Sequence, residues 1–217
     1  MEDIKNQLNI YKNLLLEWNE KINLTAIKDE NEIFVKHFED SLTILNAVDI
    51  KPHSKLIDVG TGAGFPGMVL KIARPDLNVT LLDGHKKRFL FLEDLQSKLN
   101  LNCENLHLRA EEAAKKEHLR ESFNIATARA VAKLNVLSEL CLPFVKKGGF
   151  FIAMKGPDLE ELETSANALK ILGGKIEQIK SVKLSNGDER NLVIIKKISQ
   201  TPAKYPRVSA KISKQPL

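Results

Sequence analysis

The stretch Leu56-Ile57-Asp58-Val59-Gly60-Thr61-Gly62-Ala63-Gly64-Phe65-Pro66-Gly67 holds the clearest chemistry in the chain. An apolar run reads as a strand, and Gly60, Gly62 and Gly64 then allow a sharp turn that brings a ligand against the main chain. Pro66 is pre-set for the first turn of a helix. A flat or anionic ligand belongs in such a loop. The same residues satisfy the spacing G-x-G-x-x-G through Gly62, Gly64 and Gly67, so the glycines alone leave a nicotinamide or flavin nucleotide open. Asp58 shifts the balance. An acid two residues before the first glycine would repel an approaching diphosphate but suits the ammonium of a methionine moiety, which favours S-adenosylmethionine. Asp83, at the end of the next apolar run, is placed to accept hydrogen bonds from ribose hydroxyls, which either kind of adenosine cofactor carries.

These residues need a sheet to hold them. From Lys55 onward, short apolar runs alternate with amphipathic segments, the pattern of β-α-β units. Strands are expected near 55–59, 78–82, 104–108, 123–128 and 149–155, with helices near 66–73, 86–99, 111–117, 133–143 and 158–171. The rhythm then breaks: 175–184 and 189–198 are both strand-like and are joined by Ser185-Asn186-Gly187-Asp188, a turn sequence, so a hairpin replaces the crossover. The fold class is therefore α/β, a Rossmann-like class I methyltransferase sheet of seven strands whose last is antiparallel. Ahead of it, Ile4, Leu8, Tyr11, Leu15, Trp18 and Ile22 form one apolar helical stripe. A second helical stretch, 30–48, repeats it with Phe34, Phe38, Leu42 and Leu45. The expected organisation is a helical extension over 1–50, a cofactor-binding domain over 51–198 and a basic tail over 199–217.

The 217 residues suffice for one sizeable domain with an extension. The net charge of +5 is concentrated: Lys196, Lys197, Lys204, Arg207, Lys211 and Lys214 lie in the last segment with no Asp or Glu among them, which leaves the rest near neutral. Such a tail suits a polyanion, although a solvated terminus has the same composition. Cys103 and Cys141 fit no metal-ligand spacing, nor do the five histidines, so no metal is expected, and two thiols suit a reducing compartment. The N-terminus has neither the basic start nor the apolar run of a signal peptide, and nothing reaches bilayer length. A cytoplasmic protein without membrane contact is the expectation.

The methyl acceptor is constrained by what is missing. Exocyclic amines are usually served by an Asn/Asp-Pro-Pro-Tyr/Phe loop after the fourth strand, where this chain reads Ala128-Arg129-Ala130-Val131. Cytosine C5 needs a thiolate, but Cys141 lies in an apolar helical run and reads as structural. Guanine N7 carries an in-plane lone pair and no proton, so it needs positioning and no base. Arg129, at the C-terminal edge of a central strand, stands where such sheets bind ligands. A non-catalytic nucleotide- and RNA-binding module, or a methyltransferase for another acceptor, stays open on these residues.

Taken in order, Asn23-Leu24-Thr25, His37, Asp40-Ser41-Leu42, the loop Asp58 to Gly67, Leu82-Asp83, Lys87-Arg88, Arg109-Ala110-Glu111, Ala128-Arg129-Ala130 and Leu192 to Lys196 resemble the bacterial small-subunit ribosomal RNA guanine-N7 methyltransferases, the glucose-inhibited division protein B family. The resemblance spans nearly the whole chain. It implies methylation of guanine N7 in 16S rRNA, with the small subunit or its RNA as partner and a monomeric protein. It also implies that Gly60 and Phe65 line the cofactor pocket, that Asp83 meets the ribose, that Ala110 and Glu111 flank the adenine, and that Arg129 positions ligand at the pocket mouth. Lys204, Arg207, Lys211 and Lys214 are the expected RNA contacts of the tail. Gly84 stands where the family usually has Ser, and Val208, Ala210 and Ile212 replace a usual Lys, Gly and Pro.

Overall fold

The computed structural model describes residues 2–129 and 132–217; Met1, Ala130 and Val131 lie outside the described residues. Helix α1 (Glu2–Ile22) starts on Glu2 and Asp3 and ends near Lys21, charges that complement its dipole. Leu8, Tyr11, Leu14 and Leu15 form its buried face. The second stretch is not the regular helix its periodicity suggests. It runs as α2 (Glu30–Ile33), capped by the Asp29 side chain, then a π-helical segment Phe34–Glu39, α3 (Asp40–Leu42) and a 3₁₀ turn Thr43–Asn46. Of the expected stripe only Phe38 is fully buried, joined by Ile33 and Ile44, while Phe34, Leu42 and Leu45 stay at the margin. The wider π turns explain the change, because they slow the rotation of the buried face and bring His37, Asp40 and Ser41 inward.

The sheet follows the expected alternation: β1 (Lys55–Val59), α4 (Gly67–Ala73), β2 (Asn78–Asp83), α5 (Lys86–Leu99), β3 (Glu104–His107), α6 (Ala110–Ala113), β4 (Phe123–Arg129), α7 (Leu134–Cys141), β5 (Val145–Lys155), α8 (Glu161–Leu172), β6 (Gly174–Lys183), β7 (Glu189–Lys197) and a short α9 (Ser209–Lys214). Its seven strands lie in the order β3-β2-β1-β4-β5-β7-β6, with β7 antiparallel to both neighbours. Alternate residues of each strand feed opposite faces. Leu56, Leu81, Ile125 and Ile152 pack under α1, α4 and α5, while Ile57, Leu82, Ala126 and Phe151 pack under α7 and α8. The helix expected over 111–117 stops at Ala113, since Lys115 to His118 are all exposed and offer no apolar face. At the hairpin tip Ser185 N donates to Glu39 Oε1 at 2.8 Å, and Arg190 Nε lies 3.7 Å from Asp40, so the last two strands rest on the N-terminal extension.

The tail is packed. Lys197 is fully buried, donating to the carbonyls of Leu142 at 2.7 Å and Val145 at 3.2 Å and to Thr201 Oγ1 at 2.8 Å, with Glu121 at 2.9 Å to balance its charge. Arg120 donates to the carbonyls of Thr201 and Tyr205, both at 2.9 Å. Arg207 forms a two-pronged pair with the fully buried Glu139 of α7, Nε to Oε1 at 2.8 Å and NH2 to Oε2 at 2.6 Å. Removing the guanidinium would leave a buried carboxylate without its partner. Arg207→Ala should therefore lose about 3–5 kcal/mol in urea unfolding. Adding Glu139→Gln should recover part of that loss.

Candidate functional site

The strand order reverses between β1 and β4, which leaves a crevice beyond their C-terminal ends. A cleft of about 420 Å³ opens there. One end is built by Asp83, Arg88, Arg109, Ala110 and Glu111, the floor by Gly60 to Ala63, and the other end by Thr25, His37, Phe65 and Arg129.

The glycines divide the work. Gly62 has φ +61°, and a Cβ there would meet no heavy atom within 4 Å, so its backbone is bare toward the cleft. At Gly64 (φ +95°) a Cβ would fall 2.5 Å from the Tyr11 hydroxyl, so this glycine admits helix α1 rather than ligand. Tyr11 donates to the carbonyl of Ala63, and its ring stacks on Phe65 at 5.2 Å and 9°. The N-terminal extension thus holds the loop from behind. Nothing in the apolar stripe singled out Tyr11 for this work.

Asp58 corrects the reading that gave it a ligand's ammonium. It is fully buried and does not line the cleft. Its Oδ2 accepts from Thr61 Oγ1 at 2.6 Å and Gly67 N at 2.9 Å, and Oδ1 from Thr127 Oγ1 at 3.1 Å. Burial pushes its pKa up to about 6, against the pull of those three donors. Asp58 shapes the loop that a ligand would touch. Asp83 does line the cleft: Oδ2 accepts from Gly62 N at 3.0 Å and Arg88 at 3.1 Å, and Oδ1 from His85 N and its ring Nδ1, both at 2.9 Å. Glu111 is buried at the same end, with Arg109 Nε 3.7 Å away.

The far end is a network that the sequence did not connect. Arg129 NH1 donates to Lys36 O at 2.9 Å and Asp40 Oδ2 at 3.1 Å, NH2 meets His37 Nδ1 at 3.1 Å, and the guanidinium lies 4.9 Å from the Phe65 ring centre. His37 stacks on Phe65 at 4.3 Å, and its Nε2 meets Thr25 Oγ1 at 2.8 Å. Burial, then the neighbouring Arg129 charge, pushes the His37 pKa down to about 3, so the ring is neutral. An arginine can only donate, so Nδ1 is the acceptor and Nε2 carries the proton. Of the tail residues, Lys204, Lys211 and Lys214 are exposed, while Arg207 is committed to Glu139. Ala130 and Val131, next in sequence after Arg129, lie outside the described residues. Among the described residues no three His, Cys, Asp or Glu come together in a metal-holding group, and no helix is long and apolar enough to cross a membrane.

The neutral His37 sets a pH dependence. The unfolded chain takes up a proton there below about 6.5, the folded chain only below about 3, so folding is progressively penalised as pH falls through that window. Wild type should lose more stability than His37→Gln between pH 6.5 and 3 in urea titrations. Asp58 acts with the opposite sign in both proteins and drops out of the difference.

A family model described as rRNA small subunit methyltransferase G matches residues 4–193. Ribosomal RNA small subunit methyltransferase G of Alkaliphilus metalliredigens is 52% identical over 214 residues, covering 97% of this chain and 90% of its own length. The protein of the same name from Acetivibrio thermocellus is 54% identical over 209 residues, covering 95% and 86%. Among solved structures, TrmN from Thermus thermophilus superposes with a TM-score of 0.58 at 15% identity over 73% of this chain and 48% of its own. A precorrin-6y C5,15-methyltransferase from Geobacter metallireducens gives 0.57 at 13% identity over 73% and 88%. At such identities these two speak for the fold alone.

Proposed function

The chain belongs to the rRNA small subunit methyltransferase G family, and on that premise we propose that it methylates N7 of a guanine in small-subunit (16S) ribosomal RNA with S-adenosylmethionine as donor. The observation that carries the acceptor is the state of His37. This ring, which lines the cleft, is neutral with both nitrogens engaged, so it has no free lone pair to take a proton near neutral pH. N7 offers a lone pair and releases no proton, and is served by alignment alone. The thiols fit the same reading: burial pushes Cys103 up to about 12 and raises Cys141 well above its ordinary value, so neither supplies the thiolate that C5 chemistry needs.

The cofactor fits the residues present. S-adenosylmethionine would supply a methyl carbon on a sulfonium, an electrophile that needs no activation. Asp83 would accept from the ribose hydroxyls in place of its His85 ring and Arg88 contacts, Ala110 and Glu111 would flank the adenine, and the loop from Gly60 to the bare backbone at Gly62 would admit the chain between. Arg129 would hold the carboxylate at the opposite end, a charge-assisted contact. We read 1–50 as the wall of the acceptor end, 51–198 as the cofactor domain and 199–217 as a clasp with a basic outer face. With ribosomal RNA as acceptor the protein works in the cytoplasm, as a monomer.

Small subunits from cells lacking this gene should accept labelled methyl groups and yield 7-methylguanine on nucleoside analysis; label in another nucleoside would overturn the acceptor. Single-turnover rates at saturating cofactor and RNA should stay flat between about pH 6 and 9, since no proton acceptor limits the step. A tenfold fall per pH unit, abolished by replacing one side chain, would defeat that mechanism.

For the tail, the packed Tyr205 and Ile212 make deletion a test of folding, so the charge is better removed in place. Replacing Lys204, Lys211 and Lys214 by Gln should lower the slope of log affinity against log salt by about 2–3, roughly 0.7–0.9 for each phosphate no longer neutralised. An unchanged slope would assign RNA docking to another face.

A further inference from the structure

Thr25 stands at the cleft wall in an unusually determined state. Its backbone N–H donates to Oδ1 of the buried Asn19 at 2.8 Å, and the N–H of Ile27 returns to its Oγ1 at 3.1 Å, so the turn after α1 is fixed from both sides. A hydroxyl has two lone pairs and one proton. One lone pair accepts from Ile27 N–H and the other from His37 Nε2–H, whose proton is placed there by Arg129 facing Nδ1. Both acceptor positions are therefore filled. The Thr25 proton has no acceptor among the described residues, and the side chain lines the cleft. The chain Arg129, His37, Thr25 fixes the direction of every proton in it and leaves an O–H that can only donate.

We propose that Thr25 is a cofactor-binding residue whose hydroxyl donates to the carboxylate of the methionine arm of the bound cofactor, beside Arg129; this rests on the cofactor reading above. The ligand group must be an acceptor, because a donor would face the Thr25 proton, and the carboxylate oxygens are the acceptors on the methionine arm. It lies at the Arg129 end, where Thr25 lines the cleft; at the opposite end Arg88 and Arg109 are already paired with Asp83 and Glu111, whereas Arg129 keeps free donors. Arg129 keeps Nε–H and one NH2 proton uncommitted among the described residues, so the same wall offers a carboxylate a cationic donor across the His37 ring from the neutral one. His37 acts through Thr25 and Arg129 as a positioning residue.

Calorimetry with two ligands tests this. S-adenosylhomocysteine carries the carboxylate; 5′-methylthioadenosine has the same adenosine and sulfur but lacks the amino-acid arm. Thr25→Val keeps the shape and removes the O–H, and should weaken S-adenosylhomocysteine by about tenfold, the scale of one hydrogen bond to a charged group. Methylthioadenosine should bind within about twofold of wild type, which also reports that the variant is folded, and Thr25→Ser should restore the lost affinity. Equal losses for both ligands would mean that the substitution, by unpairing Ile27 N–H and His37, merely disturbs the pocket, and would overturn the proposal. Unchanged S-adenosylhomocysteine affinity would overturn it too, even with a raised KM for RNA, which would hand the donor to the base. Wild-type protein that bound neither ligand would instead defeat the cofactor reading itself.

Discussion

One buried carboxylate organises the centre of this molecule. Asp58 lies on the middle strand with no access to water, and its two oxygens join the glycine loop through Thr61, the start of α4 through Gly67 and the neighbouring strand through Thr127. A buried acid without partners is costly, so the loop is drawn into the one conformation that supplies three donors. The sharp turn and the bare backbone at Gly62 follow from that requirement, at the crevice that the strand reversal opens. The loop is thus shaped from inside the protein before any ligand arrives, which limits the ordering a ligand must impose.

The extension completes what the sheet begins. A bare class I sheet ends in an open edge; here Tyr11 braces the loop from below, and the π-helical segment turns His37 and Asp40 toward Arg129. Phe65 is the meeting point, with Tyr11 stacked on it and both His37 and the Arg129 guanidinium against it. Aromatic and cationic groups packed this closely gain from the ring's quadrupole as well as from burial. The result is a stiff wall at the Arg129 end of the cleft.

Much of this was legible in the sequence, for reasons of period and punctuation. Strands buried on both faces give short apolar runs, Ser185-Asn186-Gly187-Asp188 marks the hairpin, and Asp83 and Arg129 fall at strand ends where such folds gather ligands. What escaped was side-chain pairing over long separations. Asp58 sits at the position of a ligand-facing acid, yet only the structure shows that its donors come from 9 and 69 residues away. Arg207 looked like any tail cation; its partner Glu139 hides in the apolar run of α7, where a lone acid among leucines was the one available hint. A π segment leaves almost no trace in periodicity, so the inward turn of His37 and Asp40 could not be read from spacing.

The hairpin tip resting on Glu39 has a consequence for biosynthesis. Ser185 meets Glu39 across 146 positions of chain, and Arg190 reaches the same region beside Asp40. Antiparallel β7 inserts between β5 and β6, so the sheet itself is finished by two strands that leave the ribosome after the other five. Pairings of such separation form late and slowly, because the intervening chain must first be closed into a loop. The wall formed by the first fifty residues therefore waits, partly unsupported, for the β6–β7 hairpin. A nascent or truncated chain ending before the hairpin holds a glycine loop without its finished enclosure, and the cleft matures as a unit only once the hairpin has closed.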